Sequence, residues 1–141
     1  MWSRGRWRTV SDVFISYARQ ERARAEQLAS ALKQFGFSVW WDSQLAAGDR
    51  WANLIEQQLE KASCVVVLWS PESVANAWVR DEAAYGRELN KLIPVVIENV
   101  VVPLGFRALQ SGVLTDWNGE SNHPGFLELV EAIRLRVQDR A

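Results

Sequence analysis

The chain has 141 residues, of which 48% are hydrophobic and 23% charged, and its formal net charge is -1. This length supports one hydrophobic core, and the composition excludes disorder over most of the chain. With so small a net charge and no apolar stretch of membrane-spanning length, we expect neither a nucleic acid nor a membrane as partner. Residues 1–9 are basic and polar and lack the apolar core of a signal peptide. We therefore expect a flexible arm followed by one soluble cytoplasmic domain at residues 10–141.

The single cysteine and the single histidine limit the metal and redox chemistry of the chain. Cys64 has no partner for an internal disulfide and lies within an apolar run, which predicts a core residue in a reducing compartment. One cysteine and one histidine are too few for a thiolate or imidazole metal site. We therefore expect no metal centre. No resident cofactor is expected either.

Short apolar runs predict the strands of a parallel sheet, because continuous apolar residues indicate burial on both faces. In chain order the runs are residues 13–15, 39–41, 65–69 and 93–97, with a weaker run at 113–115. Between them lie amphipathic stretches typical of helices, at about 19–35, 51–62, 76–86 and 126–137. Gly36 ends the first of these helices, and Asp49 is available to cap the second. The alternation predicts right-handed βαβ units and a doubly wound α/β fold.

A functional site in such a sheet is expected outside the carboxyl ends of its strands. This rule selects the segments 16–20, 42–50 and 70–78 and the residues from Glu98 onward. The chain has no glycine-rich phosphate-binding motif, which argues against a hydride-transfer enzyme and against an NTPase. The third apolar run ends at Trp69 without an aspartate, which argues against a phospho-receiver domain.

Trp78 and Glu82 are the residues of this region that suggest chemistry. They lie four residues apart at the start of the third predicted helix, so they share one helix face. Such a pair can stack a flat ring and set a negative charge beside it. The pattern alone favours a solvated Glu82, because charges on helices usually face solvent.

Five motifs in order make the chain similar to the TIR domain family, and to its bacterial members more than to animal receptor adaptors. The similarity runs from Asp12 to about Ile133. The motifs are DVFISY at 12–17, GFSVWWD at 36–42 followed by Gly48-Asp49, ASCVVVLWSP at 62–71, WVRDE at 78–82 and LIPV at 92–95. The resemblance implies a flavodoxin-like fold, with a five-stranded parallel sheet of order 2-1-3-4-5 and helices on both faces.

The resemblance also implies an activity. Some TIR domains hydrolyse or cyclise NAD⁺ with a helix glutamate that follows a tryptophan by four residues, and Glu82 and Trp78 match that pattern. It therefore implies Glu82 as the catalytic residue of an NAD⁺ glycohydrolase that releases nicotinamide and either ADP-ribose or a cyclic isomer. The substrate contacts that go with this assignment are Trp78, Tyr17, Arg19, Asp42, Asp49 and Ser70.

A lone carboxylate suits this reaction. Cleavage of the nicotinamide–ribose bond passes through an oxocarbenium-like state, which a nearby anion stabilises. Nicotinamide is bound as a cationic pyridinium and leaves as a neutral molecule, so its departure needs no proton. The glutamate would hold the ribose hydroxyls and stabilise the positive charge that develops.

Two other hypotheses stay open at the level of the sequence. Other TIR domains are non-catalytic scaffolds that signal or act in defence through homotypic contacts, and enzymatic members also assemble, as dimers or filaments. In those enzymes the second loop of a neighbouring subunit completes the site, which implies self-association here as well. A less favoured alternative is an enzyme that cleaves the N-glycosidic bond of a nucleoside, since such enzymes share this topology.

Overall fold

The computed structural model describes residues 11–41 and 49–140, with the backbone alone described at residues 49–52 and 140. Its centre is a five-stranded parallel sheet in the order β2-β1-β3-β4-β5, as predicted. The strands are β1 Val13–Ser16, β2 Val39–Trp40, β3 Cys64–Trp69, β4 Leu92–Val96 and β5 Gly112–Val113. The first strand extends one residue beyond the predicted run and so includes Ser16.

The predicted helices are all present around this sheet. They are α1 Arg22–Gln34, α2 Asp49–Lys61, α4 Ala77–Glu88 and α5 Pro124–Arg140, and a short α3 at Pro71–Val74 was not predicted. The sequence predicted that the first helix begins at about residue 19, whereas α1 begins at Arg22. A single 3-10 turn at Arg19–Glu21 precedes α1 and accounts for this difference. Gly36 follows α1 with φ +95, a backbone conformation that glycine adopts without strain.

Alternation along the strands divides the core into two layers. Val13 and Ile15 of β1 pack with α1 and α5 on one face, and Phe14 packs with α2 and α4 on the other. Ser16 has the same parity as Phe14, so its side chain points toward α2 and α4. The wall that faces α4 is completed by residues of β3 with bulky side chains, among them Val65, Val67 and Trp69.

Every residue of β3 is buried, which is the expected environment of a central strand covered on both faces. Cys64 lies at its start, and burial raises the pKa of the thiol to about 12. The thiol is therefore protonated and part of the core, as the apolar run predicted. No helix within residues 11–41 and 49–140 is long and apolar enough to cross a bilayer.

Candidate active site

Glu82 is buried against the sheet, although it lies on a surface helix. The helix α4 begins after Asn76, whose side chain caps it by accepting a hydrogen bond of 3.0 Å from the amide of Val79. Five residues into α4, Glu82 faces inward and is only 9% exposed. The alternative of a solvated glutamate, which the pattern alone favoured, is therefore wrong. The face of α4 that carries Glu82 is set by Val79, Ala83 and Gly86, which lie three or four residues apart and are buried.

The buried carboxyl of Glu82 has a partner on the sheet. The hydroxyl of Ser16, at the carboxyl end of β1, donates a hydrogen bond of 2.6 Å to Oε1 of Glu82. Such a short distance is typical of a hydroxyl that donates to a carboxylate. Ser16 and Glu82 are 66 residues apart in the chain, and the packing of α4 on β1 and β3 brings them together.

Burial raises the pKa of Glu82 to about 7. Hydrogen bonds from the side chains of Ser16 and Trp78 act in the opposite direction, and the charge of Asp81 adds to the increase. The carboxyl therefore changes its ionisation in the neutral pH range. A positively charged ligand beside it would favour the ionised form.

Glu82 lies in the wall of a cavity of about 260 Å³ between α2 and α4. Trp78 also lines this cavity and is 53% exposed, so a large part of its indole is open to a ligand or to a second protein surface. The remaining lining residues come from both helices: Ile55, Glu56, Leu59, Asp81 and Tyr85.

The cavity is apolar at its base and acidic at its rim. Ile55 and Leu59 are buried and supply the apolar base. Glu56 and Asp81 are exposed and, with Glu82, give the cavity three carboxyl groups. The charged groups among the described lining residues are all acidic, which favours a cationic ligand group beside them.

Two predicted substrate contacts lie apart from this cavity. Tyr17 follows β1 and packs against the layer formed by α1 and α5, with its ring 6.4 Å from that of Trp41. Arg19 is exposed in the turn before α1. Neither lines the cavity beside Glu82, although both lie at the same carboxyl end of the sheet.

Of the other three predicted contacts, Ser70 is the one whose side chain the structure describes. Ser70 is fully buried and caps α3, because its hydroxyl accepts from the amide of Ser73 while the hydroxyl of Ser73 accepts from the amide of Ser70. Its side chain is thus used within the fold. Asp42 lies outside the described residues, as does the arm at 1–9, and α2 begins at Asp49 with a side chain that is not described.

Ser16 and the acidic rim were not predicted from the sequence. Ser16 follows an apolar run and lies two residues after Phe14, so both side chains point to the same face of the sheet. This spacing could have predicted a polar group beneath α4. Asp81 adjoins Glu82, but Glu56 and Tyr85 offered no such signal. Their participation depends on how closely α2 approaches α4.

A second group of carboxyls meets at the carboxyl ends of β1, β3 and β4. The side chains of Glu21, Glu72 and Glu98 have carboxyl oxygens within 4.8 Å of one another. Burial raises the pKa of Glu21, and the neighbouring carboxyls of Glu72 and Glu98 add to this. The guanidinium of Arg24 lies 3.3 Å from Glu98 and 3.9 Å from Glu21, so it offsets part of the negative charge.

Comparison with known proteins identifies the family. The TIR domain model matches residues 13–130. A curated relative from Bacteroides thetaiotaomicron, named 2' cyclic ADP-D-ribose synthase BtTIR, is 31% identical over 107 residues. That alignment covers 73% of this chain and 35% of the relative, so the chain spans about a third of the relative's length.

Solved TIR domains share the fold. The TIR domain of the Toll-related receptor TRR-2 from Hydra magnipapillata superposes with a TM-score of 0.76 at 22% identity, covering 88% of this chain and 98% of that one. A TIR-STING receptor from C. gigas superposes with a TM-score of 0.68 at 19% identity, covering 87% of this chain and 39% of that one. With the family match over most of its length and this shared topology, the chain is a member of the TIR domain family.

Proposed function

We propose that this TIR domain cleaves the bond between nicotinamide and ribose in NAD⁺, with Glu82 as the catalytic residue. The observation that carries the proposal is a buried glutamate with a pKa near 7 in the wall of a cavity, beside a half-exposed tryptophan. A strongly perturbed carboxyl in a cleft is typical of functional sites. The relative named as a 2' cyclic ADP-D-ribose synthase supports the same chemistry.

The electrostatics of the cavity suit the reacting end of NAD⁺. The carboxyl groups of Glu56, Asp81 and Glu82 would attract the cationic nicotinamide ring, and the indole of Trp78 offers a flat face for stacking. As the bond to nicotinamide lengthens, positive charge moves from the pyridinium ring onto the ribose. A Glu82 carboxylate close to the ribose would stabilise this charge and hold a ribose hydroxyl.

The fate of the ribosyl cation determines the product. Attack by water gives ADP-ribose, whereas attack by a nucleophile elsewhere in the same molecule gives a cyclic isomer. The name of the Bacteroides relative favours a cyclic product, and the proposal includes both outcomes. NAD⁺ is the substrate in either case, and the reaction needs no resident cofactor or metal.

We further propose that the domain acts when self-associated, as a dimer or filament in cytoplasmic signalling or defence. In TIR enzymes the second loop of a neighbouring subunit helps to complete the site, and the half-exposed Trp78 leaves room for such a contact here. The alternative is a scaffold that associates in the same way without turnover.

The test is nicotinamide release from NAD⁺ at high protein concentration, with and without a crowding agent. Glu82→Gln keeps the shape of the side chain and removes the charge, so we expect release to fall at least about a hundredfold. Glu88→Gln is the matched control, because Glu88 is an exposed residue of the same helix that does not line the cavity.

The outcomes separate the hypotheses. Release by the wild type that Glu82→Gln retains would exclude Glu82 as the catalytic residue. Absence of release at every concentration would favour the scaffold. Cleavage of nucleosides without cleavage of NAD⁺ would favour the nucleoside enzyme.

A further inference from the structure

Ser16 has no assigned role, yet it is the polar group that the sheet offers to Glu82. It is 1% exposed, and its hydroxyl lies 2.6 Å from Oε1 of Glu82. We propose that Ser16 is a positioning residue, which holds one oxygen of the Glu82 carboxylate against the sheet and so orients the carboxylate beside the cavity. This inference rests on the proposed NAD⁺ cleavage.

The location of Ser16 makes it a rigid support. It ends β1, which pairs with β2 on one side and β3 on the other, and it is in register with Val67 of β3. Glu82, by contrast, has a long side chain with several accessible rotamers. A hydrogen bond from a central strand therefore removes rotational freedom that would otherwise reduce the fraction of correctly oriented carboxylate.

The same hydrogen bond affects the charge of Glu82. Burial and the neighbouring Asp81 favour the neutral carboxyl, whereas the donors Ser16 and Trp78 favour the carboxylate. From α2, Glu56 faces the same cavity, and Tyr85 lines it from α4. Neither Glu56 nor Tyr85 adds a positive charge that would stabilise the carboxylate. Because loss of the Ser16 hydroxyl removes one of the two donors, we expect it to raise the pKa of Glu82 further.

A purely structural role makes a different prediction. If Ser16 only satisfies a buried polar atom, its replacement lowers the stability of the fold and shifts the titration of Glu82, but it leaves kcat unchanged once Glu82 is ionised. The two roles are therefore separated by kcat above the midpoint, where Glu82 is ionised in every variant.

The experiment titrates Glu82 directly, by ¹³C NMR of the side-chain carboxyls, with the resonance assigned from Glu82→Gln. We expect a midpoint near 7 for the wild type, and for Ser16→Ala a midpoint higher by about 1 on the pH scale. Ser16→Thr keeps the hydroxyl and should titrate like the wild type. Ser38→Ala is the matched control, because Ser38 accepts from the amide of Asp12 at the opposite end of β1.

Activity is then measured from pH 5 to pH 9 with the same variants. We expect Ser16→Ala to lower kcat roughly tenfold above its midpoint, to move the rising limb of the profile in step with the NMR midpoint, and to change KM by less than about threefold. If Ser16→Ala does not fold, Ser16→Cys replaces it, since it keeps the volume and weakens the donor.

Two results would overturn the inference. A kcat above the midpoint that falls no more than in Ser38→Ala would show that Ser16 is only structural, whatever the midpoint. Absence of NAD⁺ cleavage by the wild type would instead refute the proposed function and, with it, the catalytic role of Ser16. The two failures are distinguishable because the wild type is active in the first and inactive in the second.

Discussion

At Glu82, burial and hydrogen bonding act on one carboxyl in opposite directions, and burial is the larger influence. The result is a pKa of about 7 where an ordinary glutamate has 4.5. A folded-state pKa above the unfolded one means that the folded chain binds the proton more tightly. Stability is therefore lost as the pH rises from about 4.5 to about 7, where the unfolded chain ionises first.

This linkage predicts that the candidate catalytic residue destabilises the fold at neutral pH. We expect the free energy of unfolding of Glu82→Gln, relative to that of the wild type, to increase by about 3 kcal/mol as the pH rises from 4.5 to above 7. The magnitude follows because a tenfold difference in proton affinity between the folded and unfolded chains corresponds to about 1.4 kcal/mol. Urea unfolding at a series of pH values measures the difference.

The control for this measurement is Glu88→Gln, whose side chain is exposed. Its difference in stability from the wild type should stay nearly flat with pH. A difference between wild type and Glu82→Gln that also stays flat would contradict the raised pKa of Glu82.

The position of α4 determines whether Glu82 reaches Ser16. Gly86 lies one turn beyond Glu82, where α4 packs on β3, and a Cβ atom there would lie 3.0 Å from Cβ of Val65. Ordinary carbon–carbon contacts are about 3.5 to 4.0 Å. The absence of a side chain at Gly86 therefore allows the close approach of helix and strand.

We predict that Gly86→Ala moves α4 away from the sheet. The added methyl meets the branched side chain of a buried strand, which has little room to move, so we expect a net loss of about 1 to 3 kcal/mol in the free energy of unfolding, despite the higher helix propensity of alanine. Urea unfolding measures this loss. Nicotinamide release per folded molecule should fall as well, because the Ser16–Glu82 bond lengthens.

Glu88→Ala is the control for the helix. It changes an exposed position of α4 and should alter stability by no more than about 0.5 kcal/mol. Equal stability of Gly86→Ala and the wild type would show that α4 accommodates the methyl without moving.

At the scale of the domain, the described residues 11–41 and 49–140 enclose the cavity beside Glu82 only in part. The indole of Trp78 is half exposed, and an enclosed site would protect the ribosyl cation better from unwanted reactions. A second copy of the domain that covers this side would complete the enclosure, as the family resemblance implies.

A composite site predicts that activity depends on concentration. Turnover per subunit should fall on dilution, about in proportion to concentration once the assembly dissociates, and a crowding agent should restore it. Nicotinamide release measured across a dilution series, beside light scattering for the assembly, tests this. Constant turnover per subunit across the dissociation range would indicate that one domain holds the whole site.

The sequence predicted the architecture well because each layer has a local signature. The run at 65–69 indicated a strand covered on both faces, and β3 is buried throughout. The amphipathic stretch at about 76–86 indicated a helix, and α4 begins at Ala77. The site was harder to predict, because a glutamate on a helix usually faces solvent and the sequence does not show that Glu82 is buried.

What the sequence determined by itself is the parallel sheet, which follows from continuous apolar runs, and the flanking helices with Trp78 and Glu82 on one helix face, which follow from the period of 3.6 residues. Only the tertiary structure decided that Glu82 is buried, that Ser16 donates to it and that Glu56 joins the same cavity. The physical reason is distance along the chain. Burial and hydrogen bonding at Glu82 depend on contacts between segments 66 residues apart, which arise only when α4 packs on the sheet.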